Sequence, residues 1–298
     1  MMRFAPFPPY DFAPTLHGAR FLFTMGMAHN GAFRRVIHVG EALALVEVTS
    51  LGTVDTPQLE ARLLAAKGTV DEAALWAKVA RVLNIGADLK PFYTAAASEP
   101  VLAETIRLLY GLHSLQADSL FEALLLTMTE QQISLKMAHA AQRWLLEWSG
   151  ESIPYKGETY YAFPAAERIA QATVADLTPL KITFGRMQRM IDLAQAITSG
   201  QFDLEALRDQ PAEVAYRGLM AISGVGHWTA AWTLVRAQGK YPYVGSADVG
   251  LRAAVNTYYH GLSGRADVKQ VEQTFALYGA FEGIAAYYTL TRWAFERY

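Results

Sequence analysis

The segment Leu219-Met220-Ala221-Ile222-Ser223-Gly224-Val225-Gly226-His227-Trp228-Thr229-Ala230 constrains the fold of this chain more than any other. Val214, Leu219 and Ile222 fall at helical spacings, so the stretch from Glu213 to Ile222 is predicted to be an amphipathic helix. A second helix is predicted from near His227 to about Gln238, where Gly239 offers a stop. Gly224 and Gly226 supply backbone freedom and close approach at the turn between them, because glycine carries no Cβ to clash. The unpaired amides and the dipole at the second helix's N-terminus attract an anion. Gly224, Val225, Gly226, His227 and Thr229 are therefore candidates for a phosphate grip, a contact that positions a nucleic acid without reading it.

On its own, a Gly-x-Gly between helices is an ordinary connection, but the local charge favours the grip. Between Tyr216 and Arg252 stand Arg217, Arg236, Lys240 and Arg252, against Asp248 alone, in a chain of net charge −2. A protein that coats long DNA would be more basic overall, so a local contact fits better. Asp248 lies in a loop leading into another helical segment, where it reads equally as a helix cap. The helix N-terminus is expected to favour its ionised form. Trp228 and Trp232 are one helical turn apart and share a face, suited either to core packing or to an aromatic wall.

The hairpin followed by its aspartate resembles the helix-hairpin-helix DNA glycosylase superfamily, in particular the AlkA-type 3-methyladenine DNA glycosylases. The resemblance implies hydrolysis of the N-glycosidic bond of alkylated purines, of the 3-methyladenine and 7-methylguanine class, in duplex DNA. Asp248 would be the catalytic carboxylate, stabilising positive charge at the sugar C1′ and orienting or deprotonating water. Trp228 stands where relatives that also cut the sugar-phosphate chain carry a Schiff-base lysine, which implies a monofunctional enzyme. Trp228, Trp232 and Phe281 would wall the pocket for a flipped, cationic base. Phe281-Glu282 replaces the Trp-Arg with which the family's last helix usually begins.

Gln131-Gln132-Ile133-Ser134 resembles the family's intercalating loop, with Gln132 filling the vacated stack and Ile133 the next candidate. Gln131 reads instead as a buried amide tying two helices together. The backbone carbonyls of Met220, Ile222 and Val225 would hold a structural monovalent cation, and no catalytic cofactor is implied. The expected partner is double-stranded DNA containing damaged bases, met by a monomer. Two alternatives stay open: a glycosylase for oxidised or deaminated bases, and a non-catalytic hairpin module that has no use for Asp248.

The fold class expected is mostly α with an N-terminal α+β domain. Residues 1–98 would form that small antiparallel-sheet domain, and residues 99–298 a helix-hairpin-helix core of two helical subdomains. Arg35 to Val39 and Ala42 to Thr49 alternate as strands joined by Gly40-Glu41, Leu59 to Leu63 is a further strand, and Asp71 to Leu83 a helix. Tyr10-Asp11-Phe12, Gly52-Thr53 and Asp88 to Tyr93 resemble words of the AlkA-type N-terminal domain. From Glu99 the pattern is helical, broken at Ser149–Pro164 and at Gly200, with a surface loop expected over Tyr155–Phe163. The hydrophobic fraction, 52% against 18% charged, predicts a large core. No apolar run reaches membrane-spanning length and the proline-rich start is no signal peptide, so a cytoplasmic location without membrane contact is expected. With no cysteine there is no disulfide, thiolate catalysis or thiolate-held metal, and the histidines show no metal spacing.

Overall fold

The computed structural model describes residues 1–22, 28–29 and 31–297. Among them, five strands form an antiparallel sheet: β1 (Met2–Phe4), β2 (Ala28–His29), β3 (Ala32–Val39), β4 (Ala42–Ser50) and β5 (Leu59–Lys67), in the order β1-β5-β4-β3-β2. The β3–β4 turn falls at Gly40 and Glu41, with Val39 opposite Ala42 and Gly40 at φ +59°. Helix α1 (Phe12–Leu22) precedes the sheet's inner strands, and α2 (Glu72–Val82) follows β5. Asp71 caps α2 by accepting from the amides of Ala73 and Ala74, which sets Leu75, Trp76, Val79 and Val82 against the sheet.

The remainder is helical: α3 (Lys90–Ala96), α4 (Pro100–Leu108), α5 (Leu120–Glu130), α6 (Leu135–Ser149), α7 (Ala166–Ala170), α8 (Phe184–Thr198), α9 (Ala212–Met220), α10 (His227–Gln238), α11 (Val249–Tyr258), α12 (Val268–Ala276) and α13 (Glu282–Phe295). None is long and apolar enough to cross a membrane. Two apolar clusters organise them, and α10 belongs to both. Its Ala230 and Leu234 join a cluster running from Phe33, Ile37 and Val46 of the sheet through α5, α6 and α8. Its Trp232 and Val235 join Phe92, Leu102, Leu251, Phe275, Tyr287 and Tyr288, contributed by α3, α4 and α11 to α13. Packing does not part at residue 98, since α3 and α4 on either side of it share the second cluster.

The loop expected over Tyr155–Phe163 is instead a hairpin, β6 (Ser152–Tyr155) and β7 (Glu158–Tyr161). Lys156 at φ +50° and Gly157 at φ +83° make its two-residue turn. Ile153 and Ala162 are buried against Val36, Leu43 and Leu45, so the hairpin covers the outer face of the main sheet. Pro154 and the polar turn hid this pairing, which packing against the sheet face supports.

Sheet and helices are also joined by charge. Arg35 of β3 and Glu122 of α5 form a buried ion pair, and the Asp118 amide donates to Glu122 as well. Breaking such a pair leaves an uncompensated buried charge. Arg35→Met is expected to lower unfolding stability in urea by about 3–5 kcal/mol. Adding Glu122→Gln, which removes the stranded charge and keeps an acceptor for the Asp118 amide, is expected to recover most of that loss.

Candidate active site

The turn between α9 and α10 closes on itself: the Val225 amide donates to the Ile222 carbonyl (3.0 Å), and the Val225 side chain is buried. Gly224 adopts φ +81°, a left-handed conformation that side-chain-bearing residues enter at a cost, and a Cβ there would strike Arg189. Gly226 is glycine for another reason. It is extended (φ −100°, ψ 179°), and a Cβ on it would meet nothing within 4 Å. As the N-cap of α10 it offers no side chain to the amides of residues 227–229, which stay available to an anion. His227 braces the turn, with Nδ1 2.8 Å from the Tyr216 hydroxyl and Nε2 2.8 Å from the Val244 carbonyl.

Asp248 is the N-cap of α11: Oδ1 accepts from the Leu251 amide (2.9 Å), and Oδ2 accepts from the Trp228 indole Nε1 (3.1 Å). Cap and candidate acid are thus one residue, and Trp228, expected as a pocket wall, holds it directly. Burial pushes this carboxyl above the ordinary carboxylate range. The Leu251 amide, the Trp228 indole, the Gly250 amide and the charge of Arg236 pull it down without cancelling that rise. The expectation that the helix N-terminus would prevail is therefore corrected: desolvation outweighs it.

A cavity of about 1280 Å³ opens beside this acid. Of the residues singled out in the sequence, Gln132, Ile133, Gly224, Gly226, Trp228, Thr229, Trp232 and Asp248 line it. Phe281 does not. It closes a 3-10 turn before α13, and its ring lies 6.2 Å from that of Phe92 in the second apolar cluster. The aromatic walls from this helix are Tyr287 and Trp293, with Tyr287 6.4 Å from the Trp232 ring. Tyr287, Leu290, Thr291 and Ala294 recur at helical spacing along one face of α13, a signal present in the sequence and not used.

The loop 131–134 forms the cavity's opposite rim. Gln131 donates from Nε2 to the Gly224 carbonyl (3.1 Å) and the Thr229 hydroxyl (2.9 Å), which ties this loop to the hairpin. Gln132 is exposed at φ +56°, whereas Ile133 is half-buried against the first cluster. The cations that the sequence counted near the hairpin all have partners: Arg217 pairs with Glu213, Arg236 with Glu130, and Arg252 and Lys240 donate to backbone carbonyls. The arginines at the cavity are Arg186, Arg189, Arg236, Arg265 and Arg297, which tertiary contacts assemble from α8, α10, the loop before α12 and the residues after α13.

No family model matches the chain. A DNA-3-methyladenine glycosylase of Bacillus subtilis is 32% identical over 213 residues, which is 70% of this chain and 68% of that protein. The chain belongs to the DNA-3-methyladenine glycosylase family. Among solved structures, a 3-methyladenine DNA glycosylase from Archaeoglobus fulgidus superposes with a TM-score of 0.81 at 20% identity, covering 100% of this chain and 98% of that one. An 8-oxoguanine glycosylase/lyase of Clostridium acetobutylicum, bound to double-stranded DNA, reaches 0.70 at 19% identity over 94% and 92%. At those identities the superpositions establish the helix-hairpin-helix glycosylase fold. The protein is a DNA glycosylase, a hydrolase of base excision repair.

The raised Asp248 carboxyl gives this glycosylase a measurable stability signature. A carboxyl whose native pKa exceeds its unfolded value penalises the fold when ionised, and the penalty disappears as pH falls through the window between the two. Asp248→Asn keeps an acceptor for the Leu251 amide and carries no charge. The variant is expected to melt higher than wild type at neutral pH, with the gap closing as pH drops to the ordinary carboxylate range. A gap of constant size across that range would show that burial does not raise this group.

Proposed function

We propose that this glycosylase hydrolyses the N-glycosidic bond of alkylated purines in duplex DNA without cutting the sugar-phosphate chain. The observation that carries the reading is the Asp248 carboxylate, held by the Trp228 indole and the Leu251 amide at an aromatic-walled cavity. The amides of residues 227–229 hold a backbone phosphate of the substrate, and the open space at Gly226 lets it approach the main chain. Gln132, projecting from a left-handed backbone position, fills the stack that the flipped nucleotide leaves. The base enters among Trp228, Trp232 and Tyr287, whose electron-rich faces favour a purine made cationic by alkylation.

Such a base is already a good leaving group, so no acid is required to protonate it. The C1′–N bond breaks, its electron pair departs with the purine, and the ionised Asp248 faces the charge developing on the sugar. Water then forms the new C1′–O bond and gives up its proton to the carboxylate. Among the described residues no lysine lines the cavity, which leaves no amine for an imine and favours this reading over an oxidised-base lyase. The activity for which the Bacillus subtilis relative is named, DNA-3-methyladenine glycosylase, supports the same substrate class.

No catalytic cofactor enters the scheme. A monovalent cation suits the hairpin as a structural element. The Ile222 carbonyl accepts the Val225 amide, while among the described residues no backbone amide donates to the Met220 or Val225 carbonyl. Those oxygens remain able to hold the ion and stiffen the turn.

Release of free 3-methyladenine and 7-methylguanine from alkylated duplex DNA tests the reading. Wild type is expected to release both, and Asp248→Asn to lose about 10²–10⁴-fold in rate while still binding the duplex. No release by wild type, with release from oxidised or deaminated duplexes, would move the protein to another lesion class. The two glycines separate in the same way. Gly226→Ala is expected to keep its melting temperature and lose affinity for an abasic-site duplex, whereas Gly224→Ala loses about 1–2 kcal/mol of stability. Unchanged affinity in Gly226→Ala would remove the phosphate grip from the scheme.

A further inference from the structure

Among the described residues, Arg35, Arg186, Arg208 and Arg236 are the buried arginines. Three are matched by a carboxylate: Arg35 by Glu122, Arg208 by Glu205 and Arg236 by Glu130. Arg186 is the exception. Only 5% exposed, it has no ion pair among the described residues, and its Nη1 is sealed without a hydrogen-bond partner. Its charged neighbour is a second cation, Arg189, one turn further along α8. Burial and that like charge both push the Arg186 guanidinium below its ordinary range.

A buried charge facing a like charge costs stability unless something negative reaches it. The location indicates what does. Both arginines line the active-site cavity together with Thr183, Gln132 and Ile133. The Arg189 stem runs beside the hairpin, where a Cβ on Gly224 would lie 2.6 Å from its Cδ. Arg189 itself is exposed, so the pair forms a path from the surface to a buried guanidinium. Planar guanidinium groups bind phosphate oxygens in bidentate fashion, and two of them can clamp a single phosphodiester.

We propose that Arg186 and Arg189 form a second phosphate clamp, separate from the amides of α10, which holds the duplex backbone between the hairpin and the 131–134 loop. The proposal rests on the reading of the site as a DNA-binding glycosylase centre. The clamp completes an ion pair that the free protein lacks, so duplex binding neutralises a built-in repulsion. These are positioning residues: they hold the substrate and touch neither the base nor C1′.

The test uses Arg186→Gln, Arg189→Gln and, as a control outside the cavity lining, Arg217→Gln, in the whole chain. Affinity for an abasic-site duplex is measured across a salt series, and melting temperature is measured without DNA. Each clamp variant is expected to bind about ten-fold more weakly at low salt, with a log K against log[salt] slope shallower by about 0.9. Each is also expected to melt at or above the wild-type temperature, because the repulsion is gone; a merely structural arginine would lower it. The control should change neither readout. Wild-type slopes in both clamp variants, in a protein that still excises methylated purines, would overturn the clamp and leave the glycosylase reading standing. A wild type that binds no damaged duplex would overturn both. Inorganic phosphate that raises the wild-type melting temperature, with duplex slopes unchanged in the variants, would reassign the pair to a free anion and overturn the duplex assignment.

Discussion

The contact on which the site depends is the buried ion pair between Arg236 of α10 and Glu130 of α5. The Arg236 Nη2 donates to both Glu130 oxygens (2.9 and 2.7 Å), and its Nη1 donates to the Thr127 hydroxyl (2.8 Å). Gln142 of α6 adds an amide donor to Glu130 from the other side. This joins the helix that carries the hairpin amides and both tryptophans to the helix that ends in the 131–134 loop. Low local dielectric makes such a network costly to break in part, so the two arms keep one relative geometry. Gln131 repeats the link at the surface, reaching the Gly224 carbonyl and the Thr229 hydroxyl.

Around that joint the site divides its electrostatic work. The α10 terminus and the rim arginines bring positive charge to the cavity, while the Asp248 carboxylate faces the place where the sugar lies in the proposed reaction. Asp248 is held at both oxygens and is raised by burial, so its charge is poorly solvated before any substrate arrives. A group in that condition interacts strongly with a cation that forms beside it. The aromatic walls line the cavity without supplying charge, which suits the proposed action of the acid on the sugar. On this view the cationic base supplies its own activation, and the protein supplies position and one negative charge.

Much of the site was legible because it is local. A glycine turn between two amphipathic runs, an acid at the head of the next helix and two tryptophans one turn apart are all short-range patterns. The structure keeps them together, with α10 running from His227 to Gln238 as its periodicity indicated. Other readings failed for a long-range reason. Arg236, Lys240 and Arg252 lie near the hairpin in sequence, but partners from other segments occupy them, and Arg217 pairs with Glu213 on its own helix. Phe281 matched a family position, but its 3-10 turn delivers the ring to Phe92 instead of the cavity.

The sequence by itself determined the helical class, the β3–β4 hairpin, the hairpin-plus-aspartate unit and the absence of a lysine at Trp228. Each follows from residue type and spacing within one or two elements, where backbone propensity and periodicity decide. Tertiary structure alone decided that Tyr287 and Trp293 wall the cavity, that β6 and β7 cover the sheet, and that Arg186 lies buried beside Arg189. It also decided the direction of the Asp248 shift. Desolvation and ion pairing depend on what packs against a group from distant segments, and no spacing along the chain records that.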